Sequence, residues 1–598
     1  MAEATVTNLR CEYFAGNLGI DTACPRFSWW MADERPGAIQ TGYRLQVATQ
    51  PDFSTGALAS DSGEVDSSEC VLVEYAGAEL ASCTRYWYRV RIRDHQEQWS
   101  DWSEADWFET AFLAGEWSAQ WIGPTDETDD ESGPPPYLRT GFSIDGTVST
   151  ARLSVSARGL AELSINGRRV GEDVLSPGWT DYDYRTQYLT YDVTDLVTSG
   201  ANVLGAILGD GWYSGRIARI RDGERRFGSR PQLLCELRIT DASGHTQVVA
   251  SDGSWTWRTG PIVASDLYDG EDYDARRELS GWDTADGSES GWQPVRVVGP
   301  AAAAWDGSVS GDPREAPALD AKVVPPVRRV KEITPVAQSE PEKGRYVYDL
   351  GQNITGWARV TVEGGKDATA TLRFAEMLNP DGTLYVENLR SARATDTYTC
   401  AADGEFTWEP RFTFHGFRYI EVSGVETAPA LEQITGVVLH NDLEITGSFE
   451  CSHPLVNQLQ SNIQWGQRGN YLEAPTDCPQ RDERLGWTGD AQVFIPTATF
   501  NMQVAPFFTK WQRDLVDSQG PQGTIPSVSP AIRYMKPSDE NDGGPAWSDA
   551  FVICPWTVRA KYGDRRIIEE HYEAMYEFVE SMRRRSRGLI RSDQFLEA

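Results

Sequence analysis

Lysine is scarce in this chain of 598 residues: there are seven, and the first is Lys322. Lysine and arginine together number 55, whereas aspartate and glutamate number 89, which leaves a net charge of −34. So negative a protein repels the phosphates of nucleic acids and the headgroups of anionic lipids. We therefore expect no nucleic-acid partner and no role at a membrane surface.

Patterns that bind metals or form disulfides are missing as well. The nine cysteines, an odd number, show no Cys-x-x-Cys spacing, and the six histidines are dispersed. This distribution is typical of a reduced intracellular protein without a structural zinc site. We predict no metal and no cofactor.

Long apolar runs and targeting segments are also absent. No run of about 18 apolar residues occurs, so no membrane-spanning helix is expected. The first residues, MAEATVTNLRCEYFAG, contain an acidic residue, no basic start and no apolar core, unlike a signal peptide. We predict a cytoplasmic protein.

Aromatic residues, in contrast, are plentiful: they form 11% of the chain and include 22 tryptophans. An exposed aromatic ring can stack on the apolar face of a sugar, but the cores of β-sandwiches also bury many such rings. Composition alone therefore favours neither sugar binding nor β-sandwich cores as the reason for the many aromatic residues.

The chain is too long for one hydrophobic core, and its first three quarters favour β-structure. The segment YWYRVRIRD (86–94) alternates apolar and polar residues, which predicts a half-buried strand. Similar runs, divided by turn signals, place β-sandwich modules at 5–112, 115–300 and 325–440. The first has the pattern of a fibronectin III or immunoglobulin-like domain.

Two aromatic loop clusters and one histidine lie within these modules. LGDGWYSG (208–215) and YDGEDYDARRE (268–278) can line a sugar site or form turns at the rim of a sandwich, and we favour turns. His415 lies between two phenylalanines, and we interpret it as a packed structural residue.

The hydrophobic period changes from two to 3.6 near residue 450. HPLVNQLQSNIQWG places Leu455, Leu459 and Ile463 on one helical face, with Ser452 as a start signal. The segment 505–519 continues with helical spacing. Helical hairpins joined by long charged loops indicate an all-α toroid with its active site at the loop end.

The clearest helical pattern follows at RRIIEEHYEAMYEFVESMRRR, with Asp564 as its cap. One apolar stripe is predicted along it, formed by Ile568, Tyr572, Met575, Val579 and Met582. The all-α region is predicted to cover residues 445–598.

Between two predicted helices lies APTDCPQRDERLGWTGD (474–490), which fits neither period. If its carboxylates converge, they cannot all ionise cheaply, so at least one has a raised pKa unless arginines compensate. A carboxylic acid that keeps its proton near neutral pH can act as a general acid, whereas an ion-paired loop is the structural alternative. The four carboxylates are Asp477, Asp482, Glu483 and Asp490.

Overlapping this segment, DCPQRDERLGWTGDAQVF (477–494) resembles the signature of bacterial α-L-rhamnosidases, glycoside hydrolase family 78. SPGWTDYDYRTQYLTYDVTDLV and LGDGWYSG resemble that family's N-terminal β domain. YDLGQNITGW and RFTFHGFRYIEV resemble its concanavalin-like domain, and WSDAFVICPWTVRAKYGD resembles a helical part of its catalytic toroid. Several long motifs in the same order make this resemblance specific.

The resemblance implies an inverting hydrolase that releases terminal α-L-rhamnose, with two carboxyl groups roughly 6.5–9.5 Å apart. Glu483 would be its general acid. The implied partners are rhamnosylated small molecules or oligosaccharides. The implied substrate-binding residues are Asp477, Arg481, Trp487 and Asp490, followed by Trp547 and Asp549.

The resemblance also implies a longer enzyme. The family's general base is a glutamate in a later part of the ring, and a small C-terminal β domain follows it. We expect all-β sandwich modules followed by an incomplete all-α (α/α)₆ six-hairpin toroid, and a 598-residue chain that is inactive by itself. The sequence indicates neither the aglycone nor the oligomeric state.

Two alternatives belong to other classes. A non-catalytic carbohydrate-binding protein explains the sandwiches and the aromatic residues but not the acidic loop. A different (α/α)₆ glycosidase explains the helices but not the β motifs. Release of para-nitrophenol from its α-L-rhamnoside by the full-length gene product distinguishes the three hypotheses.

Overall fold

The computed structural model describes residues 4–113, 116–126, 133–218, 225, 227–288, 290–301, 317–532, 543–588 and 590–591. Strands dominate these residues up to Asn441, and helices dominate the rest, which confirms the predicted fold class of β modules followed by an all-α region. None of the described helices is long and apolar enough to cross a membrane.

The first module contains two sheets, of three and five strands, in the orders β1-β3-β6 and β2-β8-β7-β4-β5. Its strands are β1 (Thr5–Cys11), β2 (Asn17–Ile20), β3 (Arg26–Ala32), β4 (Gln40–Ala48), β5 (Leu58–Asp61), β6 (Val73–Glu74), β7 (Arg85–Asp94) and β8 (Asp106–Thr110). Burial alternates along β7 as predicted from its sequence, and its buried apolar residues are Tyr86, Tyr88, Val90 and Ile92.

The second module pairs a six-stranded sheet, β13-β12-β15-β10-β18-β21, with a seven-stranded sheet, β22-β9-β16-β11-β14-β23, in which β17 also pairs with β16. The segment also contains a short helix, α1 (Gly211–Ser214). Its strands are β9 (Gln120–Gly123), β10 (Pro136–Ile144), β11 (Val148–Arg158), β12 (Leu160–Ile165), β13 (Arg168–Arg169), β14 (Arg185–Asp192), β15 (Gly200–Gly209), β16 (Gln232–Asp241), β17 (Thr246–Ala250), β18 (Thr256–Thr259), β21 (Gln293–Pro294), β22 (Arg296–Pro300) and β23 (Ala318–Ala321).

A ten-stranded sheet forms the third module, in the order β19-β20-β30-β27-β32-β26-β33-β24, with β25 and β31 also paired to β26. Its first two strands, β19 (Ile262–Asp266) and β20 (Gly270–Asp274), come from the chain segment of the second module. The others are β24 (Val327–Ile333), β25 (Ala337–Glu342), β26 (Arg345–Gly364), β27 (Thr369–Ala375), β30 (Thr395–Thr399), β31 (Gly404–Trp408), β32 (His415–Ser423) and β33 (Ile434–Asn441). The β19–β20 hairpin thus joins two modules in a way that the range 115–300 does not anticipate.

Short elements fill the connections between these strands. A two-stranded ribbon pairs β28 (Met377–Leu378) with β29 (Leu384–Tyr385). Single 3₁₀ turns lie at Ala275–Arg277, Glu387–Leu389 and Leu431–Gln433.

The helical region begins at residue 454 and continues to residue 584 among the described residues. Its helices are α2 (Pro454–Asn470), α3 (Thr488–Asn501), α4 (Ala505–Asp517), α5 (Ala550–Tyr562), α6 (Arg566–Glu569) and α7 (Tyr572–Arg584). Its two-residue strands are β34 (Tyr471–Leu472), β35 (Ala474–Pro475), β36 (Ser586–Arg587) and β37 (Ile590–Arg591).

The apolar stripe predicted for α2 does not face a core. Leu455 and Leu459 are 75% and 57% exposed, and the helix begins after His453 rather than with a Ser452 cap. The inward face of α2 is polar instead, because Gln467 is buried and accepts a hydrogen bond from Asn501 of α3 at 2.9 Å.

The last predicted stripe is also wrong in part. The segment forms two helices, α6 and α7, with a break at His571, so the residues on either side do not share one continuous face. Tyr572 and Val579 are 56% and 46% exposed. The buried residues of α7 are Met575, Phe578 and Ser581.

Asp564, the predicted cap of that helix, mainly joins the helical region to the first module. Its Oδ1 atom accepts a hydrogen bond from the Ile567 backbone N–H at 3.4 Å. The same oxygen is only 2.6 Å from Nη1 of Arg26, and Tyr13 donates its hydroxyl to the other oxygen. This contact explains why a residue between α5 and α6 is fully buried.

Buried charges also join α4 to the second module. Arg185 of β14 is completely buried and contacts Asp514 at 2.6 Å, Asp517 at 2.8 Å and Asp320 at 3.3 Å. Lys510 contacts Asp514 at 2.7 Å. We call these five residues the α4 charge cluster. Burial is the largest cause that raises the pKa of Asp517, to about 6, although Arg185 opposes the shift.

The motif SPGWT packs next to the charged segment. A Cβ atom on Gly178 would lie 1.9 Å from Oε2 of Glu473, and the φ of Gly178 is +109°. The Nζ of Lys322 donates to Pro177 O and to Glu473, both at 2.6 Å. Glycine is therefore required here by both space and backbone conformation.

The segment LGDGWYSG is structural, as favoured from the sequence, but it forms the end of β15 and the helix α1 in the core and not a turn at the rim. Trp212 is 3% exposed and stacks in parallel on Trp179 with ring centroids 5.9 Å apart. Tyr213 is 8% exposed. These rings belong to the core, so they present no sugar-binding face at the surface.

Candidate active site

The charged segment follows α2, but its last three residues, 488–490, form the first turn of α3 and do not lie between the helices as predicted. The ends of the part before α3 are tied together. The N–H of Asp477 donates to Leu485 O at 3.0 Å, and the N–H of Leu485 donates to Oδ1 of Asp477 at 2.9 Å. These bonds close residues 477–485 into a compact loop, which we call the charged loop. A loop without a regular period can therefore still have a defined shape.

Glu483 lies near the surface of this loop with its carboxylate enclosed by donors. Arg481 Nε and Arg390 Nη2 donate to Oε2 at 2.9 and 3.0 Å, and Trp487 Nε1 donates to Oε1 at 3.1 Å. Glu483 is 8% exposed. Its position is thus fixed from three directions, and one of its partners comes from the third module.

Arg481 bridges two of the three carboxylates of the loop, Asp477 and Glu483. Its Nη2 atom donates to Oδ2 of Asp477 at 2.9 Å, while its Nε atom contacts Glu483. Burial raises the pKa of Asp477, and the Glu483 charge acts in the same direction. The expected raised pKa in the cluster is therefore found at Asp477.

Asp477 also lines the larger of two neighbouring cavities, with a volume of about 640 Å³. Asp490 and Trp547 line the same cavity, together with residues of α2 and α3. Trp547 is 40% exposed, and a Cβ on Gly489 would lie 2.9 Å from its Nε1 atom. Glycine thus allows the indole to lie close to α3, where its exposed part faces the cavity.

A second cavity of about 410 Å³ shares Asp477 with the first. It is lined by Arg481 of the charged loop and Trp465 of α2, together with Asn353 and Glu376 of the third module. Burial raises the pKa of Glu376. Asp477 thus lines both cavities, whereas Arg481 lines only the smaller one.

The remaining predicted residues have different surroundings. Trp487 is half-buried and contacts Glu483 through its indole N–H. Asp549 accepts a hydrogen bond from the backbone N–H of Ala546 at 2.9 Å and directly precedes α5. Asp549 supports the turn that carries Trp547. Glu483, Trp487 and Asp549 are not among the residues that line the two cavities.

Sequence reasoning missed the contribution of the third module to this site. Arg390 follows the 3₁₀ turn Glu387–Leu389 and has a φ of +57°. The next residue, Ser391, donates both its N–H and its hydroxyl to Asp482. The segment NLRSAR has no distinctive spacing, and it lies about 90 residues before the loop, so no local signal could have identified it.

Asp477, Cys478 and Glu483 offer three possible metal ligands whose atoms all lie within 4.8 Å of one another. The two carboxylates already accept hydrogen bonds from Arg481. Burial raises the pKa of the Cys478 thiol to about 12, which opposes the thiolate form that a metal requires. We therefore assign no ion to this cluster.

The chain matches four families in sequence. They are described as the Rha78A-like N-terminal immunoglobulin domain (residues 6–114), the α-L-rhamnosidase N-terminal domain (146–331), the bacterial α-L-rhamnosidase concanavalin-like domain (339–440) and the bacterial α-L-rhamnosidase 6 hairpin glycosidase domain (444–596).

Curated relatives agree with these matches. An α-L-rhamnosidase of Streptomyces avermitilis is 35% identical over 99% of this chain and 72% of that protein. One from Formosa agariphila is 38% identical over 97% of this chain and 62% of that protein. The chain thus spans between about three fifths and three quarters of the length of these relatives.

Solved structures show the same similarity. The crystal structure of the Streptomyces avermitilis α-L-rhamnosidase complexed with L-rhamnose has a TM-score of 0.92 and 34% identity, over 99% of this chain and 72% of that one. The α-L-rhamnosidase from Dictyoglomus thermophilum has a TM-score of 0.89 and 35% identity, over 97% and 64% of the two chains.

Proposed function

The chain belongs to the bacterial α-L-rhamnosidases, glycoside hydrolase family 78, and we propose that the full-length protein releases terminal α-L-rhamnose from glycosides. One observation carries the proposal best: Glu483 is held by Arg481, which also holds Asp477 at the wall of a cavity of about 640 Å³. A cavity of this size suits a monosaccharide with part of its leaving group.

In the proposed reaction, Glu483 is the general acid. It donates a proton to the glycosidic oxygen while the bond between this oxygen and the anomeric carbon breaks. Water attacks the opposite face of the sugar, so the configuration is inverted. A poor leaving group depends strongly on this proton, whereas an activated aryl leaving group depends on it less.

We propose that the remaining residues bind and orient the sugar. The carboxylates of Asp477 and Asp490 can accept hydrogen bonds from sugar hydroxyls. The Arg481 guanidinium can donate hydrogen bonds to the oxygen atoms of such hydroxyls. The exposed part of Trp547 offers a flat apolar surface for one face of the ring. Asp549 acts indirectly, through the turn that carries this indole.

An inverting reaction also needs a carboxylate that activates the water, roughly 6.5–9.5 Å from the acid. We assign no described residue of this chain to that role. Each activity test below therefore uses the full-length protein.

We further propose that the enzyme acts on rhamnosylated small molecules or oligosaccharides in the cytoplasm. All nine cysteines are free thiols, and this supports a reducing compartment.

The test replaces Glu483 by glutamine, which keeps the shape of the side chain but removes the transferable proton. We expect Glu483→Gln to lower kcat by about 10²–10⁴-fold for methyl α-L-rhamnoside. The loss should be smaller for para-nitrophenyl α-L-rhamnoside. Equal losses on both substrates would show that Glu483 does not act as the acid.

A matched control is Asp482→Asn. Asp482 lies in the same loop, is 3% exposed and accepts hydrogen bonds from Ser391. Its Oδ1 atom also lies 3.6 Å from Nη1 of Arg390, so the variant removes a charge near Glu483 but leaves the Glu483 carboxyl itself intact. Replacement of Asp482 should change the rates for the two substrates by the same factor. A selective loss in this control would show that substrate preference responds to any charge removed from the loop.

A further inference from the structure

The second arginine of the charged loop, Arg484, contacts backbone rather than carboxylates. It is 2% exposed, and its guanidinium donates to four carbonyl oxygens. Two belong to the loop itself: Nε donates to Arg481 O at 3.1 Å, and Nη2 donates to Gln480 O at 3.2 Å. The side chain therefore fills the inside of the closed loop and satisfies carbonyls that face inward.

The other two carbonyls come from the β modules. Nη1 of Arg484 donates to Leu267 O, in the turn of the β19–β20 hairpin, and to Phe414 O, directly before β32, both at 2.6 Å. The guanidinium also lies 4.9 Å from the ring centre of Tyr268 and 4.6 Å from that of Phe414. Arginine suits this position because its planar fork can address several acceptors and stack on rings at once.

Tyr268 makes the direct contact with the acid residue. Its hydroxyl donates to the backbone carbonyl of Glu483 at 2.9 Å and accepts a hydrogen bond from the Ala218 N–H at 3.0 Å. Tyr268 is 1% exposed. Both the carbonyl of Glu483 and the residue that follows it are thus fixed by groups from the hairpin turn.

The backbone at this point has an uncommon conformation. Arg484 has a φ of +53°, in the left-handed region that non-glycine residues rarely adopt. Such a conformation persists only where its surroundings hold it in place. Here the carbonyl of Glu483 turns towards Tyr268, while its carboxylate turns towards Arg390, Arg481 and Trp487.

We propose that Arg484 and Tyr268 are positioning residues that aim the Glu483 carboxyl at the glycosidic oxygen, so that the β modules form part of the catalytic apparatus. The inference rests on the proposed function. It assigns a role to YDGEDYDARRE and RFTFHGFRYIEV, which otherwise only build β-structure. A displacement of a reacting group by 1 Å can cost about 100-fold in rate, so small shifts of this backbone are sufficient to affect turnover.

The decisive variant is Tyr268→Phe in the full-length protein. It removes the hydrogen bond to the Glu483 carbonyl and the one from the Ala218 N–H, but keeps the ring next to Arg484. We expect kcat/KM for methyl α-L-rhamnoside to fall by about 10-fold or more, and that for para-nitrophenyl α-L-rhamnoside by less than about 3-fold, because only the former needs a well-placed proton. A purely structural role would lower both by the same factor.

Tyr348→Phe is the matched control. Tyr348 is completely buried in the same hydrophobic cluster, and its hydroxyl donates to the carbonyl of Pro429 at 2.6 Å. This change removes another buried hydrogen bond from a tyrosine hydroxyl to a backbone carbonyl. It should leave the ratio of the kcat/KM values for the two substrates unchanged. The inference is wrong if Tyr268→Phe leaves that ratio unchanged, or if Tyr348→Phe alters it equally.

A second pair of variants tests the arginine fork. Arg484→Lys keeps the charge, but one ammonium group cannot reach four carbonyls, so the selective loss on the methyl glycoside should persist. Arg484→Met should give a greater loss. If Arg484→Lys has the wild-type ratio of kcat/KM values for the two substrates, the role of the guanidinium fork is contradicted. If the arginine variants fold poorly, Tyr268→Phe decides the question. If Glu483→Gln behaves as an acid variant while Tyr268→Phe has no selective effect, only the present inference fails.

Discussion

The charged loop and the α4 charge cluster use the same side-chain types with opposite results. In the α4 cluster, Arg185, Asp514 and Lys510 are completely buried and are satisfied by one another. In the charged loop, the side chain of Arg481 is 31% exposed, and its partner Asp477 lines two cavities. Arginine–carboxylate pairs therefore do not by themselves indicate a site.

The α4 charge cluster and the charged loop differ in whether another molecule can reach the ion pair. A buried pair with no free surface can only join two parts of the protein, and the removal of one member leaves an uncompensated charge. In the loop pair, the Arg481 side chain is 31% exposed and the Asp477 side chain 8% exposed, and Asp477 lines two cavities, so a ligand can reach the pair. We thus expect stability to depend on the α4 cluster and activity to depend on the loop.

The largest effect should follow from a change in the α4 cluster. Arg185→Met should lower the free energy of unfolding by about 3–5 kcal/mol, since three carboxylates would lose their common buried cation. Arg481→Met should cost less, because the Arg481 side chain is 31% exposed and Asp477, which it leaves, lines two cavities that solvent can enter. Denaturant unfolding of both variants measures the difference. Equal losses of stability would remove the distinction between the two regions.

A change at the wall of the larger cavity should have the reverse profile. Trp547→Ala should lower kcat/KM for rhamnosides by about 10-fold through the loss of an apolar contact with the sugar. Its melting temperature should change little, since Trp547 is 40% exposed. Trp556→Ala, at a ring that is 66% exposed on α5 outside the cavity lining, is the control. An equal loss of activity in both variants would argue against sugar stacking at Trp547.

A smaller effect concerns a buried carboxyl that lacks the close cations of the α4 cluster. Glu271 is completely buried, and its Oε2 atom accepts hydrogen bonds from the N–H groups of Arg411 and Phe412 at 3.1 Å. Burial is the largest cause that raises its pKa from 4.5 to about 8. Between these values the folded state binds more protons than the unfolded state, so stability falls as the pH rises through this window and is constant above it.

Glu271→Gln should remove that contribution. The melting temperature of the wild type relative to this variant should decline from about pH 5 to about pH 8. The exposed residue Glu432 provides a control, since Glu432→Gln should leave the pH profile unchanged. A difference between the wild type and Glu271→Gln that stays constant with pH would contradict a raised pKa.

Hydrophobic periodicity correctly predicted elements that have one buried face and one exposed face. The strand β7 has one buried and one exposed face, so its alternation was informative. The helix α2 was located correctly, but its inward face was not, because Gln467 there pairs with a residue of α3. The stripe assigned to α6 and α7 failed because a hydrophobic pattern cannot reveal a break at a buried residue such as His571.

The site could be predicted only in its local part. Asp477, Arg481 and Glu483 lie within one short motif, and the structure brings all three into contact. Arg390 and Tyr268 reach the same loop from distant parts of the chain, where their local sequences resemble ordinary turns. Contacts of this kind depend on how sheets pack, and no local period records that packing.

The long-range contacts of the charged loop also set an order of events during biosynthesis. Tyr268 precedes Glu483 by 215 residues, and Arg390 precedes it by 93. At usual translation rates, the ribosome adds the first of these intervals in about 10–40 s, which gives the β modules time to fold before the loop emerges. The nascent loop then meets surfaces that already exist, and Glu483 takes its position when the loop docks on them. On the proposed function, the side chain of the general acid would therefore reach its position only after the β modules have folded.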